Sequence, residues 1–267
     1  MVAEQPKDMS FLEHLEELRR RLFWSVIGVI VGIIIVVIYH DFVVDELIMG
    51  PRKPDFVTYR AFCHWSHAIG LDDQLCLDPP NLKLQSTTMG GNMNADIMVC
   101  IVSGLILAFP FVVWQFWRFI RPGLKSKETN AVRGIVFYIS LLFFSGVLFG
   151  YYLLAPLSIQ FLANYTFGDV ENNPTLLSYL KLTTSLVFGT GLVFQLPVVI
   201  YFLSRLGVVT AAFLRKYRKH AFVVNLIVAA VITPPDVTSQ ILVSLPILLL
   251  YELSIIVAAR AEKRAAG

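Results

Sequence analysis

Long apolar runs dominate this chain and recur between short polar clusters. They fall at about residues 22–39, 97–119, 132–155, 182–203, 221–232 and 241–259. About 20 helical residues cross a hydrocarbon core of about 30 Å, so the pattern predicts an all-α protein of six transmembrane helices, organised as a single membrane domain over residues 1–267. The fifth run has only 12 clean residues, roughly 18 Å of helix. Such a run predicts local thinning of the bilayer or burial beside its neighbour. Six spans place both termini on one side, and the stretch of about 40–95 is expected to be a long loop on the other.

Composition sharpens this reading. Hydrophobic residues make up 56% of the chain and charged residues 15%, against about 25% charged in a soluble domain. So apolar a chain cannot cover a globular surface with polar groups, and it is too apolar to remain unfolded in water. The net charge of +3 gives no footprint for nucleic acid. Lys and Arg number 17 on the side carrying both termini and 5 on the other, so the termini are expected in the cytoplasm of a bacterial or organellar-type inner membrane. Residues 1–20 are polar and hold five acids, which argues against a cleavable signal peptide.

Of three cysteines, Cys100 falls inside the second span and reads as a small apolar residue. Cys63 and Cys76 share the outer loop, where a disulfide would persist. Unpaired thiols, or a zinc site with His64 and His67, remain alternatives. No HExxH, GxSxG, P-loop or GxGxxG occurs, so neither enzymatic activity nor a cofactor is expected.

The N-terminal segment is more informative. Ser10-Phe11-Leu12-Glu13 reads as a capping box. Phe11, Leu15, Leu18 and Leu22 then form one stripe of a helix expected along the membrane surface and running into the first span. Its polar face carries Glu16 and Glu17, spaced to pair with Arg20 and Arg21 at i,i+4. Glu128 stands among five basic residues of the next cytoplasmic loop, where a first-turn role beside a Ser126 cap would also account for it. Inside the membrane each polar group is a functional candidate. These are Gln195, two residues before Pro197, and Glu252, the only acid of the sixth span. Thr233-Pro234-Pro235-Asp236 forms a tight outer connection leading to Gln240. Interhelical hydrogen bonding would account for Gln195 and Gln240, and a turn or cap would account for Asp236.

Four motifs, taken in order with six spans, resemble the TatC family of twin-arginine translocase subunits. They are His14-Leu15-Glu16-Glu17-Leu18-Arg19, Phe119-Ile120-Arg121-Pro122-Gly123-Leu124 with Lys127-Glu128, Phe194-Gln195-Leu196-Pro197, and Thr233-Pro234-Pro235-Asp236-Val237 with Ser239-Gln240. The resemblance covers about residues 9–260. It implies a concave bundle with short fifth and sixth helices. It also implies recognition of folded precursors by their Arg-Arg signal peptides, with proton-motive force as the driver. Glu17 and Glu128 match the carboxylates that receive the twin arginines, and Arg19 matches a basic position of the same motif. Gln195 falls where many relatives have Glu, which leaves a polar role but not a titrating one. Thr233 and Gln240 match a patch that contacts the single-span partners TatA and TatB, with Ala230 where some relatives carry Met. Asp236 and Glu252 join Gln195 as intramembrane polar candidates, and self-association is implied as well. Two other classes fit less well. A small-solute transporter using Glu252 and Gln195 would show internal symmetry between its halves, and an insertase would carry a basic residue within a span.

Overall fold

The computed structural model describes residues 11–68, 70, 72–73, 76, 82–120, 134–165, 173–232 and 237–266. Among these there is no strand, and one isolated bridge pairs Gln85 with Thr175. Helix α1 runs Phe11–Ile38, α2 Val57–Ala68, α3 Gly91–Ile120, α4 Ile135–Phe149 and α5 Ala155–Asn164. Then follow α6 Leu176–Val193, α7 Leu196–Arg205, α8 Ala211–Lys216, α9 Arg218–Ile232 and α10 Val237–Ala266. Five stretches are long and apolar enough to cross a membrane: Leu12–Ile38, Gly91–Ile120, Ile135–Asn164, Leu176–Arg205 and Val243–Glu262. Helix α9, at 15 residues, corresponds to the expected short fifth span.

Two expectations change, and a third is met. The last helix is not short: α10 has 30 residues, because the Ala, Glu, Lys and Arg after residue 259 are strong helix formers that continue it beyond the apolar run. The N-terminal segment runs into the first span without a break, as expected. No Gly or Pro interrupts residues 11–27, so amphipathic stripe and apolar run form one helix of 28 residues, about 42 Å long. The stretch 40–95 is more than a loop, since a π-helical turn at Phe42–Ile48, a 3-10 turn at Gly50–Arg52 and α2 all lie within it.

The described residues form two compact units. One comprises the described residues within 11–38 and 103–140. Within it α1 and the second half of α3 run antiparallel. His14 stacks on Phe119, with ring centroids 4.4 Å apart. One turn or more further along, Arg21 reaches Gln115, Gly28 faces the Phe111 ring, and Gly32 faces the Gly104 backbone. A Cβ on Gly32 would lie 2.5 Å from the Gly104 carbonyl oxygen, and one on Gly104 would lie 2.7 Å from the Ile33 nitrogen. Apolar side chains gain little by associating in lipid, so backbones brought this close by glycine supply the dispersion contacts that hold the pair.

The other unit comprises residues 39–102 and 141–267. The segment from residue 42 to the end of α2, here the cap, is tied together and to the helices that follow by hydroxyl-to-carbonyl hydrogen bonds. Tyr59 donates to Pro51 O (2.8 Å), Tyr151 to Leu47 O (2.7 Å) and Tyr179 to Ile48 O (2.9 Å). Burial pushes the Tyr59 hydroxyl up to about 12, so it stays a donor throughout the physiological range. Helix α10 lies against α7, α8 and α9, around a core of Ile200, Ala211, Leu214, Ile255 and Ala258. Glu262 accepts from the Ala211 N–H at 2.6 Å, a carboxylate at the positive end of α8.

Candidate functional site

The N-terminal motif lies on α1 and brings its polar groups onto two faces. Towards α3, Arg21 is held at both ends: Nη2 donates to Glu17 Oε1 at 3.0 Å and Nη1 to Gln115 Oε1 at 3.5 Å. The Arg21 and Glu17 side chains are only 12% and 15% exposed, and Gln115 is buried. The charge of Arg21 is therefore largely withdrawn from water, and its Nε has no described hydrogen-bond partner. Glu17 is the counter-ion that makes this tolerable, since an uncompensated buried charge is strongly destabilising. Among the described residues Glu17 Oε2 makes no hydrogen bond.

On the other side, Glu13, Glu16, Glu17, Arg19, Arg20 and Phe23 line a cavity of about 560 Å³. Arg19, Arg20 and Glu16 are exposed. Of the two i,i+4 pairs that the spacing allows, Glu17–Arg21 is formed, whereas Glu16 and Arg20 are not paired among the described residues. The contact of His14 with Phe119 joins the first sequence motif to the start of the second. Arg118 stacks over Trp114 at 4.9 Å. Glu128 falls outside the described residues, as do Ser10, Ser126, Thr233 and Asp236.

The intramembrane candidates do not gather into one site. Gln195 occupies the turn between α6 and α7. Its N–H bonds Leu192 O rather than Gly191 O, and its own side-chain Nε2 donates to Gly191 O at 3.5 Å instead. The side-chain amide thus serves a carbonyl that the Gln195 N–H leaves at this joint. Gln240 Nε2 donates to Leu226 O at 3.0 Å, and Asn225 Nδ2 donates to Ser244 O at 2.9 Å. The α9–α10 hairpin thus carries an amide bond in each direction. Glu252 is an ion pair, its Oε2 2.7 Å from Arg218 Nη2, with both side chains about half exposed. The preceding residue, Tyr251, donates to Leu214 O at 2.8 Å.

The sequence pattern did not single out Asn225, Arg218 or Gln115 as partners. For Asn225 a signal existed: a lone amide within an apolar helix must find a partner. Arg218 and Gln115 lie 34 and 94 residues from their partners, and only tertiary packing brings them there.

Cys63 and Cys76 are joined in a disulfide, their Cα atoms 4.2 Å apart. His67, one turn after Cys63 on α2, lies beside it, while Asp73 takes the fourth position that His64 held in the sequence-based metal alternative. His40 Nε2 lies 2.6 Å from Asp96 Oδ1, with Asp41 also in reach. These carboxylates, Asp96 first, raise the imidazole above its ordinary value near 6.5.

Long apolar helices with few polar groups along them, and no assembled catalytic cluster among the described residues, define a multi-span membrane protein. The model of the family described as "Sec-independent protein translocase protein (TatC)" matches residues 13–246. The chain belongs to the TatC family, whose members are components of a protein translocase rather than enzymes. It is 36% identical over 270 residues to the TatC protein of Blattabacterium sp. subsp. Periplaneta americana, covering 98% of this chain and all of that one. It is 33% identical to TatC of Carboxydothermus hydrogenoformans over 95% of this chain and 94% of that one. A crystal structure described as the twin arginine translocase receptor TatC superposes with a TM-score of 0.71 at 31% identity, covering 93% of this chain and 99% of that one. The protein therefore takes part in Tat-type translocation as a multi-pass membrane protein of the inner-membrane type.

Proposed function

We propose that this protein is the receptor subunit of its translocase, binding the Arg-Arg signal peptides of folded precursors at the cytoplasmic face. The observation that carries the reading is the state of Glu17. This carboxylate is mostly withdrawn from water, already engages one guanidinium, and has no hydrogen bond to its second oxygen among the described residues, beside a cavity lined by further acids. A guest arginine can occupy that oxygen, and Glu128 would receive the other. Guanidinium forks match carboxylates with two parallel hydrogen bonds, whereas an ammonium is a point charge without that geometry. Arg19, exposed on the same cavity, would fix the peptide's orientation through its backbone or acidic groups. The solved relative is itself described as a receptor, in keeping with this role.

In this reading the chain is a membrane protein of six spans with both termini in the cytoplasm. The apolar part of the signal peptide lies along it. Thr233, Asp236 and Gln240 at the α9–α10 connection contact TatA- and TatB-like single-span subunits, and copies of the chain self-associate. Precursor binding recruits the partners, and proton-motive force drives export. Gln195 serves the fold at the α6–α7 joint rather than titrating.

Site-specific crosslinking in membranes tests the receptor role. An Arg-Arg signal peptide should crosslink to the wild type, and a Lys-Lys peptide should not. Glu17→Ala and Glu128→Ala should each abolish the adduct. Crosslinking indifferent to Arg versus Lys and to both glutamates would refute the assignment.

A further inference from the structure

The end of the cap, with the turn that follows it (residues 57–76), holds more chemistry than a disulfide requires. Cys63 and His67 are one turn apart on the same face of α2. Asp73 and Cys76 are three apart in a turn closed by the Cys76 N–H donating to Asp73 O at 3.1 Å. The turn is fastened to the helix by the buried Ser66 hydroxyl, which donates to Asp72 O. Asp72 itself takes a positive φ of 46°, a conformation that Asp tolerates better than most residues. The result is a four-membered cluster. His67 Nε2 lies 2.8 Å from Asp73 Oδ1, 3.9 Å from Cys63 Sγ and 3.7 Å from Cys76 Sγ, and Cys76 Sγ lies 3.6 Å from Asp73 Oδ1. One ligand atom from each residue falls within 4.8 Å of every other.

Those separations have a chemical meaning. Zinc binds thiolate sulfur at about 2.3 Å and imidazole nitrogen or carboxylate oxygen at about 2.0–2.2 Å. A tetrahedron with such bonds sets its ligand atoms roughly 3.3–3.8 Å apart. Edges between sulfur and nitrogen or oxygen are about 3.5–3.7 Å in such a tetrahedron. The two distances from Cys76 Sγ, 3.7 Å to His67 Nε2 and 3.6 Å to Asp73 Oδ1, already lie close to that spacing. The 3.9 Å from Cys63 Sγ to His67 Nε2 needs to close by about 0.3 Å. The His67–Asp73 pair needs to open by about half an ångström, and the two sulfurs must part. Two ligands from a helix and two from an adjoining turn, with two thiolates among them, form a donor set that suits zinc rather than calcium or magnesium.

We propose that the reduced form of this cap is a zinc site made by Cys63, His67, Asp73 and Cys76, mutually exclusive with the disulfide. Reduction by a dithiol or a phosphine delivers two electrons to the S–S bond, which breaks to give two thiols while the reductant is oxidised. Zinc binding then releases two protons to water as both thiols become thiolates. Neutral His67 donates through Nε2 and the Asp73 carboxylate through one oxygen, so the complex carries one net negative charge. Bridged sulfurs cannot supply two thiolates, so the oxidised cap does not hold the ion. Either state ties α2 to the turn that follows it, so the cap has a crosslink on both sides of the redox change. His64, adjacent to Cys63, is not a ligand.

The test uses the full-length protein in detergent, oxidised or reduced with a phosphine that competes weakly for metal, and titrated with zinc against a chromogenic chelator. Reduced wild type should retain one zinc per chain, and oxidised protein none. Cobalt substituted into the reduced protein should give the thiolate charge-transfer and tetrahedral d–d bands. His67→Ala and Asp73→Asn should each weaken binding by at least the roughly 10–100-fold that loss of an outer-shell partner costs, and His64→Ala should not. As a check independent of retention, zinc should raise the melting temperature of the reduced protein and leave that of the oxidised protein unchanged. Absence of zinc from the reduced wild type overturns the proposal. So does equal retention by wild type, His67→Ala and Asp73→Asn, or zinc held by the oxidised protein.

Discussion

Two pairs of helices in this protein are joined by opposite means. Helices α1 and α3 meet where glycine lets backbone touch backbone, at Gly32 and Gly104. Helices α9 and α10 meet through side-chain amides, with Asn225 and Gln240 each donating to a carbonyl of the other helix. Each pair also carries a Glu–Arg ion pair. Glu17–Arg21 lies within one helix and is mostly hidden from water, while Arg218–Glu252 bridges two helices and is half exposed. The contrast follows from the surroundings. Apolar side chains have no preference for one another over lipid, so helices need either unusually close packing or a polar bond to choose partners. Apart from the Arg21–Gln115 contact, packing joins α1 to α3 and leaves Glu16, Arg19 and Arg20 exposed, whereas the short α9 carries two amide hydrogen bonds to its neighbour.

The comparison breaks most readily at the glycines. Gly32→Val and Gly104→Val place branched side chains where even a Cβ meets backbone at 2.5–2.7 Å. Overpacking of this kind typically costs about 1–3 kcal/mol and here meets rigid backbone on both sides. Melting in detergent should show the largest loss of any change considered, and survival of either variant at wild-type stability would show that the helices are not held by close approach. Next is Asn225→Leu, which removes a buried donor and is expected to cost up to about 1.7 kcal/mol, with Gln240→Leu nearer the typical value of about 0.6. The pair should lose less together than the two separate losses summed, since both serve one interface. Strict additivity would argue that they act independently.

Smaller still is Glu252→Ala. A half-exposed ion pair contributes about 0–1 kcal/mol, so its stability should barely move. Unchanged precursor export would remove Glu252 from the mechanism, and lost export at unchanged stability would give it a role. The least effect is expected at His40. Asp96 and Asp41 raise its titration above the ordinary value near 6.5, so the protonated imidazole stabilises the folded form below that value. The contribution fades as pH rises through the higher folded value. Wild type should therefore exceed Asp96→Asn in melting temperature at acid pH and converge with it at alkaline pH. The opposite trend would contradict the pairing.

What the sequence made legible divides along physical lines. The spans were readable because an apolar run of membrane length can do little except cross a bilayer, and the Glu17–Arg21 contact was readable because i,i+4 spacing is local. The length of α10 was missed because its last turns are polar, so hydropathy ends before helix propensity does. The continuity of α1 was legible, because nothing between residues 11 and 27 breaks a helix. Asp73 did not stand out as a neighbour of Cys63, since its position depends on a turn fastened by Ser66 and Asp72. The backbone contact of Gly32 with Gly104 is equally invisible in one dimension, because a lone glycine in a span does not name its partner.

The central claim is that a carboxylate on α1 reads guanidinium geometry. A two-by-two binding cycle in detergent tests it most directly, pairing Arg-Arg and Lys-Lys signal peptides with wild type and Glu17→Gln. The account predicts that wild type prefers Arg-Arg by about 1.5–3 kcal/mol, the scale of a hydrogen bond to a charged group, and that this preference largely vanishes in Glu17→Gln. An equal preference in both proteins would mean that Glu17 serves only to neutralise Arg21.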